Sequence, residues 1–488
     1  MTNDSAILGL KDKVLIFLAG FCLLNTQYIF SRIIGSTFFS TELILIFSTI
    51  IILIGISFSY AIGIKLNDKE FQVWTLLTFI MCLSLPVSPI IIYIFCYKFK
   101  IQLIAYLIIA ILGFLILGGY FAVFLPKFIS RGINFNHIYI FELLGSLTCL
   151  FLLFIMNNFM FNLFFYYLAL FAITLLTLNS KVLKILSAIL VIVSVNSYAF
   201  VNEAVLKQYY HTVYQANNPQ IVYTEYSNYY RIDVVSSLQG TSLYLDGVPY
   251  YDNNITGGFN YSLSYLPGRL KKPTLKPNLK ALVVGSGSLS SSSYLKSLNY
   301  DVTVCEIDPK VLEAGLRFFQ FKNHLQPQSL NIKITDCRNY LLNLPDASLD
   351  IIAMDVPAPY HLQTAMLHTK EFYSLAKQKL KPDGLISICL CSYGCHKPLA
   401  KSIAKGLGLN FPYFIKCDSR LVNLSFIYGS QDSSLLNIDE LKKIVSLEHN
   451  SAYFDFSYKN EIWPKVKNEK ALSFNYLLPA LFIMSHVL

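Results

Sequence analysis

From Val14 to Val201 the chain reads as long apolar runs separated by short polar breaks. Seven runs approach the ~20 apolar residues that cross a bilayer. They are Val14–Phe30, Leu43–Ile64, Val73–Phe95, Ile101–Leu125, Ile138–Met156, Phe161–Leu178 and Val182–Val201. Each predicts a membrane helix, and together they predict a membrane domain over 1–205. Pro86 and Pro89 fall inside the third run and predict a kink. The first run has no small-residue cleavage site and leads straight into further runs, so it reads as a span and not as a signal peptide. Beyond it the period shortens. Tyr229–Val235 alternates, Gln239-Gly240 turns, Ser242–Leu245 returns and Asp246-Gly247 turns again, a β-hairpin pattern over 206–270. A Pro/Lys stretch, Pro267 to Pro277, marks its end.

From 271 to 488 strands and helices alternate, which predicts a parallel sheet. Expected strands are Ala281–Val284, Val302–Cys305, Asn331–Thr335, Asp350–Met354 and Leu385–Cys391, with a late antiparallel pair at Phe411–Lys416 and Asn423–Gly429. Expected helices are the segment through Lys296, Pro309–Phe321 and Thr364–Leu380. The fold class is thus a polytopic α-helical membrane domain followed by a Rossmann-like, methyltransferase-type α/β domain with a small N-terminal β-hairpin subdomain. The apolar tail, Ala471–Leu488, is broken by Asn475, Pro479 and His486 and is expected to pack on the α/β domain, not to span.

Composition sharpens this division. Hydrophobic residues make up 54% of the 488 and charged residues 14%, too apolar for an ordinary soluble chain. Up to Glu203 there are 11 Lys/Arg and 7 Asp/Glu, which leaves 28 and 22 of the chain's 39 and 29 for the rest. The net charge of +10 is shared by both parts and is too diffuse to argue for nucleic acid. Among ten cysteines no pairing has zinc-site spacing; Cys391 and Cys395 lack a second pair, and no metal is expected. Unpaired thiols point to a reducing compartment. The charge rule points the other way. Lys11, Lys13, Lys65, Lys69, Lys127, Arg131, Lys181 and Lys184 share the N-terminal side of a seven-span arrangement, against Arg32, Lys98, Lys100 and Lys207. That puts the N-terminus inside and, with an odd number of spans, the C-terminal half outside. The thiols and the nucleoside chemistry below place that half in the cytosol, which is the expectation adopted. Polar residues inside the runs are few, Asn25, Gln27, Glu142 and Asn157; Glu142 is a candidate functional group but sits only a turn into its run, where an interfacial carboxylate fits as well.

Candidate chemistry lies at the carboxyl ends of the expected strands, where open α/β sheets bind ligands. Gly285-Ser286-Gly287 follows the first strand and allows close backbone approach. Glu306 ends the second strand, 21 residues after Gly285, the reach of a carboxylate that accepts from ribose hydroxyls. Asp336 and Asp355 end the third and fourth. Any one of them could be an ordinary strand-end cap; the three together favour a nucleoside pocket.

Several segments carry a family likeness. They are Gly20-Phe21-Cys22-Leu23-Leu24 through Ser31-Arg32, Phe141-Glu142-Leu143-Leu144-Gly145-Ser146, Ser227–Val234, Leu243–Gly247, Val283–Gly287, Val304–Asp308, Asp336, Met354–Pro359 and Glu371-Phe372-Tyr373. With them the C-terminal half resembles the spermidine synthases (polyamine aminopropyltransferases), and the whole chain resembles membrane-fused versions of that family. The resemblance implies decarboxylated S-adenosylmethionine as co-substrate and transfer of its aminopropyl group to an amine, with no metal. It implies that Gly285, Gly287 and Ser288 form the ligand loop, that Glu306 holds the ribose, that Asp336 and Cys337 face the adenine, and that Asp355 takes the proton of the attacking amine. Departures fall on the amine side. Ser288 replaces the family's acid, Ala358 replaces a second acid after Asp355, Tyr230 stands where the family has Gln, and Gly257-Gly258 and Ser262-Leu263 stand near its acidic and His-Glu pairs. Remaining amine-binding candidates are Tyr229, Tyr230 and Asp246, with Tyr250, Tyr251, Tyr261 and Asp252 beside them; aromatic faces attract ammonium groups. Two other classes stay open: an S-adenosylmethionine-dependent methyltransferase, favoured by the missing acid at Ser288, and a non-catalytic nucleoside-binding membrane protein. Expected partners are the lipid bilayer and a small-molecule amine, with a homo-oligomer left open.

Overall fold

The computed structural model describes residues 9–38, 42–113, 116, 122–131, 133–156, 158–252, 256–271, 279–285, 287–319, 329–357, 359, 362–391, 394, 396–448 and 451–475. The chain divides into two compact units, Met1–Ile221 with Glu225–Arg231, and Val222–Thr224 with Ile232–Leu488. The division falls later than residue 205 because the last helix of the first unit runs on to Tyr214.

The first unit is helical among its described residues: α1 (Leu10–Phe38), α2 (Glu42–Gly63), α3 (Asp68–Ser84), α4 (Ser88–Lys98), α5 (Gln102–Gly113), α6 (Ala122–Ser130), α7 (Phe135–Met156), α8 (Phe159–Thr177) and α9 (Lys181–Tyr214). Asn67, Asn158 and Ser180 cap α3, α8 and α9 by accepting from backbone N–H groups of the first turn. Among the described residues four helices, α1, α7, α8 and α9, are long and apolar enough to cross a membrane. The third apolar run breaks between α3 and α4 with a 70° bend, and this pair makes a fifth if counted as one span. Pro89 sits in the first turn of α4, where a missing N–H costs nothing. The second and fourth runs give shorter apolar helices, Ser48–Gly63 and Ile104–Gly113.

The unit's polarity is inverted. Leu147, Leu150, Phe151 and Phe154 of α7 and Val182, Ile185, Ile189 and Ile192 of α9 are exposed, whereas Asn25, Thr26 and Asn162 are buried. Asn25 Nδ2 donates to Asn162 O at 3.4 Å and Thr26 Oγ1 to the Tyr166 hydroxyl at 2.8 Å. Helices α1 and α7 cross at backbone contact. A Cβ on Gly20 would lie 2.0 Å from Glu142 O, and one on Gly145 would lie 1.9 Å from Phe17 O. Ser146 Oγ donates to Gly20 O across the crossing.

The expected hairpin region is a four-stranded sheet in the order β1 (Gln220–Tyr226), β2 (Arg231–Ser237), β3 (Gly240–Leu245), β4 (Val248–Asp252). Asp246 and Gly247 take φ of 49° and 73° in the β3–β4 turn, the mirror-type turn that suits hairpin twist. Helix α10 (Thr256–Asn260), a π-helical turn at Tyr261–Tyr265 and α11 (Leu266–Leu270) follow.

The main sheet contains β5 (Lys280–Val284), β6 (Asp301–Glu306), β7 (Asn331–Ile334), β8 (Leu349–Met354), β9 (Leu380–Cys389), β10 (Tyr413–Ser419), β11 (Leu424–Ser430) and β12 (Phe454–Tyr458). Their order is β12-β10-β11-β9-β8-β5-β6-β7. Neighbours from β9 to β7 pair in parallel, and β10 to β12 are antiparallel, so the sheet is mixed. The chain starts at β5, winds out to β7 and returns to β8 on the other side of β5. That reversal opens a crevice at the carboxyl ends of β5 and β8. Helices α12 (Ser290–Ser297), α13 (Pro309–Phe318), α14 (Cys337–Leu342), α15 (Leu362–Met366), α16 (Lys370–Lys379), α17 (Pro398–Asn410), α18 (Ile438–Leu447) and α19 (Lys459–Val466) flank the sheet, with a buried apolar cluster on each face. Every residue of β8 is buried, as a doubly covered parallel strand requires.

Two expectations are corrected here. The helix expected over Thr364–Leu380 is two helices, because Thr369 Oγ1 accepts from Phe372 N and starts α16 afresh. Strand β12 was not anticipated. At the start of the tail Leu472 is buried and its carbonyl accepts from Lys370 N, so this stretch packs on the α/β unit; residues 476–488 lie outside the described ones.

Candidate active site

The crevice is built from strand ends. Gly285 and Gly287 take φ of +80° and +42°, conformations that favour glycine. Gly285 N donates to Cys305 O at 2.8 Å, which ties the loop to β6. A Cβ at Gly285 would lie 2.1 Å from Asp355 O, so the loop passes directly over the end of β8. A Cβ at Gly287 would lie 1.9 Å from the Tyr250 ring. Ser288 is buried and donates to Ser290 Oγ at 3.0 Å. It places no charge on the loop. Ser286, Ala358 and Cys395 lie outside the described residues, as do the side chains of Tyr251 and Asp252.

Glu306 is buried at the end of β6, with Oε1 accepting from Asp308 N at 2.9 Å. Asp308 in turn caps α13 through Lys310 N. Cys337 opens α14, and its thiol donates to Cys305 O at 2.9 Å. Burial, then the neighbouring Cys305, pushes the Cys337 thiol well above its ordinary range, so it is a neutral wall and not a nucleophile. Asp336 is exposed and caps α14 by accepting from Arg338 N at 2.8 Å. Its carboxylate performs the cap role that the sequence left open for any one strand-end acid.

Asp355 follows β8 and is 4% exposed. The Tyr250 hydroxyl donates to Asp355 O and lies 3.2 Å from Oδ1. Ser291, the second residue of α12, has its hydroxyl within hydrogen-bond reach of the same carboxylate and donates to Asn260 Oδ1 at 2.7 Å. Burial raises the Asp355 carboxyl to about 7; the Ser291 and Tyr250 hydroxyls pull it down, and the charge of Glu306 pushes it up. A carboxyl that titrates near neutrality is matched to proton transfer at neutral pH.

The structure therefore brings Gly285, Gly287, Glu306, Cys337 and Asp355 together. Asp246 is buried in the β3–β4 turn. Tyr229 and Tyr230 fall in the first unit. Both backbone N–H groups donate to Ser227 Oγ, at 3.0 and 2.9 Å, and Arg32 of α1 donates to Ser227 O at 2.6 Å. Sequence reasoning missed Ser291 and Asn260 as members of the carboxylate network and named Tyr250 only as one of several aromatics. The Ser-rich run gave no sign of which hydroxyl faces the crevice.

Residues 267–422 match the model of the spermine/spermidine synthase domain. This chain carries a spermidine synthase-like domain. The synthase-like domain is 26% identical over 173 residues to the polyamine aminopropyltransferase of Oceanobacillus iheyensis, 34% of this chain and 33% of that protein. It is 24% identical over 171 residues to polyamine aminopropyltransferase 2 of Aquifex aeolicus, 34% of each chain. The chain thus spans about a third of the length of the curated relatives it matches. A solved spermidine synthase from Thermotoga maritima is 19% identical with a TM-score of 0.42, covering 51% of this chain and 87% of that one.

Proposed function

We propose that the protein is a membrane-bound aminopropyltransferase-like enzyme that moves an aminopropyl group from decarboxylated S-adenosylmethionine to a small-molecule amine. The observation that carries this is Asp355. It is a buried carboxyl that titrates near 7 under a glycine loop, at the switch point of a synthase-like sheet. The residues fit such a ligand: the buried Glu306 carboxylate is an acceptor suited to ribose hydroxyls, and the glycine loop lies close over Asp355, where a Cβ at Gly285 would overlap its carbonyl oxygen. In this reading Glu306 holds the ribose hydroxyls, and Cys337, with Asp336 at the same helix start, borders the adenine. Asp246 remains a candidate for the amine. The sulfonium co-substrate supplies an electrophilic carbon and a neutral thioether leaving group. Asp355 accepts a proton from the acceptor ammonium, freeing the nitrogen lone pair. The C–N bond forms as the C–S bond breaks, and the electron pair stays on sulfur.

The inverted polarity of the helical unit supports a multi-pass membrane location, because water would not leave α7 and α9 so apolar outside. The described cysteines of the α/β unit are free thiols, which supports a cytosolic setting for it. A second reading, transfer of a methyl group from intact S-adenosylmethionine, draws on Ser288, since an uncharged buried hydroxyl does not repel that ligand's carboxylate. The test uses the full chain in detergent with each co-substrate and a panel of amines, reading thioether nucleoside products by mass spectrometry. Methylthioadenosine formed only with an amine supports the proposal. S-adenosylhomocysteine would favour the methyl reading, and neither product would leave a non-catalytic nucleoside binder.

A further inference from the structure

Strand β4 is irregular where it faces the crevice. Leu243 and Tyr244 are consecutive on β3, yet their partners on β4 are Tyr251 and Pro249. Tyr250 is the extra residue between them. A bulge of this kind frees one residue from the ladder and re-aims its side chain, and bulges recur beside active sites. Here the freed ring lies on Gly287, where any Cβ would overlap it, and its hydroxyl reaches both the carbonyl and the carboxylate of Asp355. The backbone thus departs from regular pairing at a residue that touches the glycine loop and the candidate base together. A Tyr that only filled space would not need its hydroxyl aimed at a buried carboxylate.

We propose that Tyr250 is a positioning residue for Asp355, holding the carboxylate toward the crevice and favouring its ionised form. The inference rests on the reading of Asp355 as proton acceptor and deepens it. The titratable groups facing Asp355 are Tyr250 from β4 and Glu306 from β6, with the uncharged hydroxyl of Ser291 from α12. Glu306 disfavours the charge, and the two hydroxyls favour it. Removing one hydroxyl therefore raises the carboxyl further. At a fixed neutral pH the ionised, proton-accepting fraction falls, and more alkaline solution restores it.

Tyr250→Phe keeps the ring against Gly287 and deletes only the hydroxyl. The protonated-carboxyl band of Asp355 is followed by infrared titration of the full chain in detergent, identified as the band lost in Asp355→Asn. The expected midpoint is near 7 in the parent and higher by about one unit in Tyr250→Phe, a tenfold smaller ionised fraction well below the midpoint. Where turnover is measurable, the alkaline-rising limb of the pH profile moves by the same amount while nucleoside affinity stays. An unchanged midpoint in Tyr250→Phe overturns the proposal, as does a shift seen in Ser291→Ala alone. Absence of aminopropyl transfer by the parent would sink the functional reading separately, because the titration needs no substrate.

Discussion

Asp355→Asn is expected to make the protein inactive and, in alkaline solution, more stable. The carboxyl rises on folding from its ordinary 3.8 to about 7 because burial disfavours the charged form. Between those values the folded chain holds a proton that the unfolded chain has lost, so stability falls as pH rises through the window. About three units at about 1.36 kcal/mol each gives a penalty of up to ~4 kcal/mol, fully developed above about pH 7. Asn carries no charge and keeps an oxygen to accept from Tyr250, so the mutant escapes the penalty. Turnover should drop by about 10²–10⁴, the usual worth of a general base, while nucleoside affinity changes little. The assay is a pair of denaturant melts of the full chain at about pH 5 and about pH 8, with nucleoside titration and turnover on the same samples. The mutant's advantage should be about 1.6 kcal/mol at about pH 5 and ~4 kcal/mol at about pH 8. An advantage that does not change with pH refutes the burial argument, and near-normal turnover removes Asp355 from the chemistry.

Glu306→Gln should weaken nucleoside binding roughly ten-fold or more, the worth of a charge-assisted contact, without unfolding the domain; an unchanged titration removes Glu306 from the site. His368 is buried beside the Tyr373 hydroxyl, and burial lowers its imidazole to about 4. The unfolded chain then binds the extra proton between about 6.5 and 4, so stability falls with acid across that window by about 3 kcal/mol. His368→Phe should flatten that part of a pH–stability curve, and a curve of unchanged slope counts against the assignment. Gly145→Val should disrupt the α1–α7 crossing, where even one Cβ meets Phe17 O at 1.9 Å; thermal unfolding of the helical unit at or above the parental temperature contradicts that packing.

Much of the architecture was legible along the chain, and the reasons differ by element. The parallel strands β5, β6, β8 and β9 and the late antiparallel pair were readable because buried strands are near-continuous apolar runs bounded by Gly, Pro and Asp, whereas β7 is a short, largely exposed edge strand legible only from its place in the strand–helix alternation. The break between α3 and α4 was readable because Pro86 and Pro89 remove backbone donors whatever surrounds them. Strand β12 was missed although Phe454–Tyr458 alternates apolar and polar residues; five residues of alternation do not say where a strand pairs, and its place beside β10 comes from tertiary packing. The split between α15 and α16 depends on one hydroxyl turning to a backbone N–H, which composition does not reveal.

At the candidate site the sequence by itself determined which residues end the strands, and with them Gly285, Gly287, Glu306, Asp336 and Asp355, because strand-end positions follow from local period. It could not say what each carboxylate does. Asp336 caps a helix in the open and Asp355 is sealed under a glycine loop, a difference in burial created by strand order, which brings β8 back beside β5. Tyr250 shows the same limit more sharply. One residue of slip in a hairpin, which the linear pattern does not register, turns its hydroxyl toward a carboxylate 105 residues away. Periodicity fixes which residues lie on which element, but a hydrogen bond between distant elements is set by the packing of all of them, and only the tertiary structure holds that information.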